Sequence, residues 1–297
     1  MATKVLDAEM INKKNRQKEI INMVIRYTIL AIGAVIMTYP ILWLIGASFK
    51  TNSEIFTSIW FMPKNFDIEP WIRGWQTATE YTFATYFRNT FFIVVPKVLF
   101  TVIACMLTSY GFTRFNFPFK GPLMAILIAT QFLPNVVTRI PLYLLWRELG
   151  FLDTYVPLVL PSLFASAGDA FFVFMAIQFM RSIPRELDEA AKIDGCNSLQ
   201  ILFKVIVPIM IPCFVSVGLF QFMWTMNDFL GPLIYISSVS KYPVSIALKM
   251  AMDTSSGAFA WNETIAMSLM ALTPSLVLFF LAQKTFIEGV TAGSVKG

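Results

Sequence analysis

The fold of this chain is indicated by the stretch Glu189-Ala190-Ala191-Lys192-Ile193-Asp194-Gly195, which is followed twelve residues later by Val207-Pro208. The stretch lies between two long apolar runs of the polypeptide. It predicts a short polar helix, because glycine permits the turn that ends a helix. A polar helix connected directly to a membrane-crossing helix is suited to transmit movement from a soluble partner.

The composition around this stretch indicates an integral membrane protein. Hydrophobic residues make up 57% of the chain and charged residues 14%, whereas soluble domains contain roughly 25% charged residues. A helix needs at least about 18 apolar residues to cross the hydrocarbon core of a bilayer. Three continuous runs meet this length, approximately at residues 26–50, 204–228 and 263–284, and three further spans are predicted at 89–113, 121–146 and 155–180, where Lys97, Arg139 and Asp169 interrupt the apolar sequence.

The distribution of basic residues predicts the orientation of these spans, because cytoplasmic loops carry an excess of Lys and Arg. If the N-terminus is cytoplasmic, 14 of the 23 basic residues fall in cytoplasmic segments. We therefore expect both termini and the polar helix to face the cytoplasm. The net charge of +5 is explained by this bias, and a nucleic-acid partner is not expected.

The three cysteines do not predict a disulfide. Cys105, Cys196 and Cys213 fall within predicted spans or on the predicted cytoplasmic side, where thiols stay reduced. We expect all three to be free.

The residues of the polar helix predict a surface for close contact. Pro184 suits the first turn of a helix. Spacings of three, four and seven residues place Leu187, Ala190, Ala191 and Asp194 on one face. We expect the alanines and Gly195 to let another surface approach closely, and Glu189 to form a salt bridge with a basic residue of that surface.

The spacing of this motif resembles the signature of binding-protein-dependent ABC importer permeases. Two further stretches resemble the sugar-importing, maltose-type branch of that family. They are Trp224-Thr225-Met226-Asn227-Asp228-Phe229-Leu230-Gly231-Pro232-Leu233 and the C-terminal Gly289-Val290-Thr291-Ala292-Gly293-Ser294-Val295-Lys296-Gly297. Val205, Val207 and Cys196 are mild departures from the usual pattern.

The resemblance implies an all-α integral membrane protein with the ABC type I importer permease fold. Six transmembrane helices would carry a cytoplasmic coupling helix at about residues 184–196. The expected organisation is a cytoplasmic N-terminal tail (1–22), a six-helix permease domain (23–288) and a cytoplasmic C-terminal tail (289–297). The expected location is the bacterial inner (plasma) membrane.

The resemblance also implies the partners. They are a second homologous permease subunit, two cytoplasmic ABC ATPase subunits, an extracytoplasmic solute-binding protein, an oligosaccharide substrate and membrane lipid. The loop at residues 235–262 would contact the binding protein. ATP and Mg would be bound by the ATPase subunits, since this chain has no Gly-x-x-x-x-Gly-Lys-Ser/Thr loop. No metal or other cofactor is expected on this chain, and it is not expected to be an enzyme.

Polar residues within the predicted spans are candidates for a substrate pathway, because ionisable groups are costly in hydrocarbon. Lys97 and Asp228 can also be interfacial residues, and Arg139 and Asp169 can form a structural ion pair. Aromatic faces, amides and carboxylates suit a sugar. The candidate pathway residues are Gln131, Asn135, Arg139, Asp169, Gln221, Trp224, Asn227 and Asp228.

Three alternatives remain open at this point. An intramembrane enzyme is disfavoured because the chain has no histidine, the commonest base and metal ligand. A secondary transporter or channel that works without ATPases would need no coupling helix. An ABC permease for phosphate, amino acids or polyamines would share the helix, and the sequence does not decide whether an oligosaccharide substrate is neutral or anionic.

Overall fold

Helices form the regular secondary structure of the residues that the structure describes. A computed structural model describes residues 2–76, 80–165, 167–252 and 260–291. The α-helices, in chain order, are α1 (Ala2–Ala47), α2 (Asn52–Thr57), α3 (Glu69–Gln76), α4 (Phe83–Arg114), α5 (Lys120–Thr130), α6 (Asn135–Glu148), α7 (Val156–Val159), α8 (Ala170–Arg181), α9 (Glu186–Ile193), α10 (Ser198–Ile201), α11 (Val207–Met226), α12 (Leu230–Tyr235), α13 (Val244–Met252) and α14 (Trp261–Thr291).

Four helical stretches within this part of the chain are long and apolar enough to cross a membrane. Helix α1 extends the first predicted span back to Ala2, and α14 extends the last one to Thr291. The predicted N-terminal tail (1–22) is thus helical from Ala2. The four stretches are Lys18–Ala47, Phe83–Arg114, Ser198–Met226 and Trp261–Phe286.

The third and fourth predicted spans are not continuous helices, so the described part of the structure does not confirm the expected count of six transmembrane helices. The third is divided into α5 and α6 by residues 131–134, and Pro134 stands directly before α6. A proline opposes helix continuation, since it lacks the backbone N–H and clashes with the preceding turn. The fourth is divided among α7, short 3-10 turns and α8, and Ala165 there has a positive φ of 51°.

One structural unit comprises residues 1–72 and 260–269. The side chain of Lys50 is fully buried within it and donates hydrogen bonds to the carbonyl oxygens of Ser58 and Trp60. Asn262 donates from its side chain to the Lys50 carbonyl oxygen over 3.1 Å. These bonds attach the segment after α1 to the first turn of α14.

The other unit comprises residues 73–259 and 270–297, and α4 lies at its centre. Helices α8 and α11 both pack along α4. The core between them contains residues that are 0% exposed, among them Cys105 of α4, Phe172 of α8 and Val217 of α11. Both regions considered below belong to this unit.

The three cysteines are free thiols. Cys105 and Cys213 are buried in the core, and Cys196 is half-buried after α9.

Candidate functional site

Helix α9 lies inside the predicted range 184–196, and the sequence explains both of its ends. Its first turn contains Glu186, Asp188 and Glu189, and acidic residues there interact favourably with the positive end of the helix dipole. At its other end, Gly195 has a φ of 82°, and the backbone N–H of Cys196 donates to the carbonyl oxygen of Ala191 over 2.9 Å. This left-handed ending favours glycine, because a side chain there would be strained.

The two faces of α9 differ sharply in exposure. Asp188 and Ala191 are buried, with 8% and 7% of their surface exposed. The outward face contains Glu186, Leu187, Glu189, Ala190 and Ile193, and Ile193 is 87% exposed. Asp194 and Gly195, at the end of the helix, are also exposed.

The burial of Ala191 corrects one prediction. Ala191 packs in the core cluster with Ile183 and Ile201, so it does not share the outward face with Leu187, Ala190 and Asp194. The physical reason is that a surface helix must bury one face against the rest of the protein, and Ala191 lies on that buried face of α9. Ala191 therefore packs against the core of this subunit and not against a partner, and its small side chain lets α9 lie close to that core.

The inward face of α9 is held by an ion pair to the end of α4. Nε of Arg114 lies 2.6 Å from Oδ2 of Asp188, and the two side chains are 7% and 11% exposed. Nη2 of the same arginine donates to the carbonyl oxygen of Ile183 over 3.2 Å. One buried guanidinium thus binds both α9 and the segment that precedes it.

Two more hydrogen bonds connect α4 to the chain on either side of α9. Nη2 of Arg185 donates to the Thr113 carbonyl oxygen over 2.9 Å. The hydroxyl of Tyr110 donates to the Ser198 carbonyl oxygen, also over 2.9 Å. Helix α4 therefore contacts the chain just before α9, within α9 and just after it. We expect the two helices to move together.

The Val207-Pro208 pair of the motif lies where the chain changes its helical winding. Residues Leu202–Ile206 form a π-helical turn, and the N–H of Val207 donates to the carbonyl oxygen of Leu202. Proline has no backbone N–H, so Pro208 cannot make the usual bond to the residue four positions earlier. Wide turns of this kind are often found at functional positions.

The opposite end of α4 is attached to the segment between α12 and α13. The Asn89 side chain donates to the carbonyl oxygens of Ser240 and Tyr242 over 2.8 and 3.0 Å. The hydroxyl oxygen of Thr90 accepts from the N–H of Val244 over 2.9 Å. A single helix of 32 residues, about 48 Å long at 1.5 Å per residue, thus connects α9 to this segment.

Asp153 organises the same segment. Its carboxylate lies 2.9 Å from Nζ of Lys241 and accepts hydrogen bonds from the backbone N–H groups of Ser237 and Ser238 and from the Ser238 hydroxyl. Burial alone would raise the pKa of Asp153. The bonds from Ser238, Lys241 and Ser237 outweigh burial and hold this pKa well below its usual range.

A cavity of about 810 Å³ opens between α4, α6, α7, α11, α12 and the turns that precede α8. Ligand pockets commonly have volumes of roughly 300–1,000 Å³. Its polar and aromatic lining includes Lys97, Arg139, Asp169, Gln221, Trp224 and Asp228. Five of these residues were predicted as pathway residues from the sequence, and the structure brings them together around one space.

Arg139 and Asp228 face each other loosely across this cavity. Nη2 of Arg139 lies 3.8 Å from Oδ1 of Asp228, and each side chain is 25% exposed. The suggested ion pair between Arg139 and Asp169 is thus replaced by one between Arg139 and Asp228. Asp169 is only 4% exposed and lines the same cavity.

The position of Asp228 depends on Gly231. Oδ1 of Asp228 accepts from the N–H of Gly231 over 3.0 Å, at the start of α12. A Cβ atom on Gly231 would collide with Oδ2 of Asp228 and lie 3.0 Å from the side chain of Leu158. This close approach explains why position 231, three residues after Asp228, is occupied by glycine.

The remaining predicted pathway residues lie elsewhere. Gln131 is exposed in the break between α5 and α6, and Asn227 is exposed and donates to the Met223 carbonyl oxygen. Neither lines the cavity. The side chain of Asn135 lies outside the described part of the structure.

Sequence reasoning missed the residues that hold α9. Arg114 and Arg185 were counted only among the basic residues of the cytoplasmic segments, and Asp188 was given no role. A signal was available, because Arg114 ends a long apolar run and Asp188 stands three residues before Ala191, on the same side of the predicted helix. Among the side chains that the structure describes, no cluster of His, Cys, Asp and Glu is suited to hold a metal ion.

Comparison with known proteins gives concordant matches. Residues 101–287 match the family model described as binding-protein-dependent transport system inner membrane component. The chain is 28% identical to a probable ABC transporter permease protein, YurM, of Bacillus subtilis, over 97% of this chain and 93% of that protein. It is 29% identical to the galactooligosaccharides transport system permease protein GanQ of the same organism, over 93% of this chain and 96% of that protein.

A solved structure supports the fold. It is a crystal structure of a bacterial ABC transporter involved in the import of the acidic polysaccharide alginate. The superposition has a TM-score of 0.75 with 23% sequence identity, and it covers 90% of this chain and 96% of that one.

Proposed function

The chain belongs to the family of binding-protein-dependent transport system inner membrane components, and we propose that it is the permease subunit of an ATP-driven importer for oligosaccharides. Members of this family are transport subunits of ABC transporters, so the chain is an integral membrane transport protein and not an enzyme. In the proposal it forms half of the translocation pathway. A second homologous permease would supply the other half.

Coupling to a cytoplasmic ATPase is proposed to occur through the outward face of α9, and the exposure of that face is the observation that carries this proposal. Ile193 is 87% and Leu187 41% exposed, beside the exposed carboxylates of Glu186 and Glu189. Apolar side chains surrounded by charged ones are typical of contact surfaces for a partner. A groove with an apolar floor and a basic rim on the ATPase would complement them.

Helix α4 is proposed to carry the movement of α9 across the membrane. The buried Arg114–Asp188 pair holds α9 at one end of α4, and Asn89 and Thr90 hold the segment before α13 at the other. Packed helices transmit movement as rigid bodies, since close-packed cores do not deform continuously. Closure of the ATPase subunits would thus reach the opposite surface, where we place the contact with the solute-binding protein.

The substrate class is proposed from the cavity and from the relatives. One relative is named for galactooligosaccharides. The cavity offers an indole ring together with amide, carboxylate and guanidinium groups. Aromatic rings suit the apolar faces of sugars, and the polar groups suit their hydroxyls.

The proposed topology has six crossings, with both termini in the cytoplasm of a bacterial cell and the chain in its inner (plasma) membrane. Four crossings correspond to the long helices, and two to the broken segments α5–α6 and α7–α8. Residues 23–288 would form the permease domain between tails at 1–22 and 289–297. ATP and Mg would be bound by two partner ATPase subunits.

Purification of the chain from its native membrane in mild detergent, followed by mass spectrometry, tests this assembly. We expect an ABC ATPase and a second permease to co-purify. The solute-binding protein of the same system can then be screened for its sugar. Repeated recovery of an active chain without an ATPase would contradict the proposal.

Charge reversal on α9 tests the coupling surface. Glu189→Lys is expected to lower ATP hydrolysis that is stimulated by the loaded binding protein, while the chain still inserts in the membrane. Glu19→Lys is the control, because this glutamate is exposed on α1 and lies outside both α9 and the segment before α13. Equal stimulation in both variants would show that Glu189 takes no part in coupling.

A further inference from the structure

We propose that this subunit itself binds the transported sugar in the cavity between α4, α6, α7, α11 and α12, and that the sugar is an uncharged oligosaccharide. The inference rests on the proposed function and names the class of its substrate. Three features of the cavity carry it: an aromatic platform, a buried amide and a set of balanced charges.

The aromatic platform is Trp224. Its ring packs on the fully buried ring of Phe172, with 4.8 Å between the ring centroids, and on Phe171, with 6.1 Å. These contacts hold the indole ring in place, and 51% of the Trp224 surface remains exposed. A fixed aromatic face that is open to a cavity suits the apolar face of a sugar ring.

The buried amide is Gln221, one helical turn before Trp224. It is 2% exposed, lines the cavity and receives a hydrogen bond only at its backbone oxygen, from the Thr225 hydroxyl. Within the described part of the chain, its carboxamide has no hydrogen-bond partner. A buried polar group without a partner is costly, and hydroxyl groups of a ligand would satisfy both the oxygen and the nitrogen of this amide.

The balanced charges decide between uncharged and acidic sugars. Two cations, Lys97 and Arg139, and two carboxylates, Asp169 and Asp228, line the cavity, so their formal charges sum to zero. The Arg139 guanidinium already faces Asp228 at 3.8 Å. A uronate would lose its hydration without gaining net attraction, whereas sugar hydroxyls can donate to the carboxylates and accept from the cations.

Binding to the purified complete transporter in nanodiscs tests both parts of the inference. The probes are tetragalacturonate and its methyl ester, which differ in charge at a constant linkage, together with maltotetraose, cellotetraose and galactotetraose. We expect at least one uncharged probe to bind, and the methyl ester to bind more tightly than the free acid. Absence of binding by every uncharged probe, or tighter binding of the free acid, would overturn the inference.

Variants of the lining residues test the site itself. Gln221→Leu and Trp224→Leu are each expected to weaken binding of the uncharged probe about tenfold, as the loss of one hydrogen bond or stacking contact predicts. Gln131→Leu is the matched control, since Gln131 lies outside the cavity. Unchanged affinity in both lining variants would overturn the site.

One substitution tests the charge balance. Asp228→Asn keeps the oxygen that accepts from Gly231 but removes a negative charge opposite Arg139, so affinity for tetragalacturonate is expected to rise severalfold. An unchanged affinity for tetragalacturonate would contradict the role given to the charges. An ATPase that still co-purifies with all variants would show that the proposed function stands even where the sugar site fails.

Discussion

Two arginine–aspartate pairs in the same unit differ in the distance between their charged groups and in their exposure. The Arg114–Asp188 pair is closed, with 2.6 Å between the nearest atoms and side chains at most 11% exposed. The Arg139–Asp228 pair is open, with 3.8 Å and 25% exposure for both side chains. The closed pair fixes a helix in one position, whereas the open pair lines a cavity and leaves its charged groups accessible to a ligand.

The difference has an energetic basis. Removing one member of a buried pair leaves an uncompensated charge, and this costs about 3–5 kcal/mol. Partly exposed pairs typically contribute only about 0–1 kcal/mol. We therefore assign stability and helix position to the closed pair, and ligand contact to the open one.

The largest effect is expected from Arg114→Gln, which leaves the Asp188 carboxylate buried without its cation. We expect the complex to lose about 3–5 kcal/mol of stability, with a marked fall in the melting temperature of the purified transporter. The charge swap Arg114→Asp with Asp188→Arg should recover part of this loss. A melting temperature equal to that of the wild type would mean that the pair does not hold α9.

The second effect concerns the placement of the open pair. Gly231→Ala introduces a Cβ atom against the Asp228 carboxylate, and overpacking of this kind costs about 1–3 kcal/mol. Gly111→Ala is the matched control, since the added Cβ would meet no atom within 4 Å beyond the backbone of its own helix. Thermal melting of both variants should show a loss for Gly231→Ala alone, and equal melting would remove the packing explanation for this glycine.

A third, intermediate pair sharpens the comparison through its pH dependence. Asp153 and Lys241 lie 2.9 Å apart with 28% and 42% exposure, and the pKa of Asp153 is lowered in the folded protein. Its stabilisation is therefore present above the unfolded pKa of about 3.9 and is lost as the pH falls toward the folded pKa.

The variant Asp153→Ala is accordingly expected to cost about 1 kcal/mol near neutral pH. The difference in melting temperature from the wild type should shrink below about pH 4. A difference that stays constant between pH 7 and pH 3 would contradict the assignment.

The smallest effect on stability is expected from Arg139→Gln, which changes only the open pair. Less than about 1 kcal/mol should be lost, in contrast to the same substitution at Arg114. Parallel melting curves of the two variants give the direct comparison. A loss at position 139 as large as at position 114 would refute the distinction between the two pairs.

The sequence predicted the class of fold and the place of α9 well, because long apolar runs and a glycine-terminated polar segment are local signals. It did not predict the breaks within the third and fourth spans. Pro134, Pro141, Pro157 and Pro161 stood in those segments, but their effect depends on the packing of the surrounding helices. From apolar composition alone, the segments 121–146 and 155–180 are predicted to be continuous helices.

The cavity was predicted in part. Arg139, Asp169, Gln221, Trp224 and Asp228 were selected because polar residues are unusual in apolar helices, and they line one space. Their pairing was not predictable, since it depends on how α6 packs relative to α11. Ala191 was misjudged for a related reason: periodicity places residues on one side of a helix but does not show which of them are buried against the rest of the protein.

The most direct test of the account is co-purification of the partner ATPase with the variant Ile193→Asp, which places a charge on the most exposed apolar side chain of α9. We expect the variant to reach the membrane in normal amounts and to lose the ATPase during purification, while Glu19→Lys retains it. Retention of the ATPase by Ile193→Asp at the level of the wild type would contradict the proposal that α9 is the contact surface.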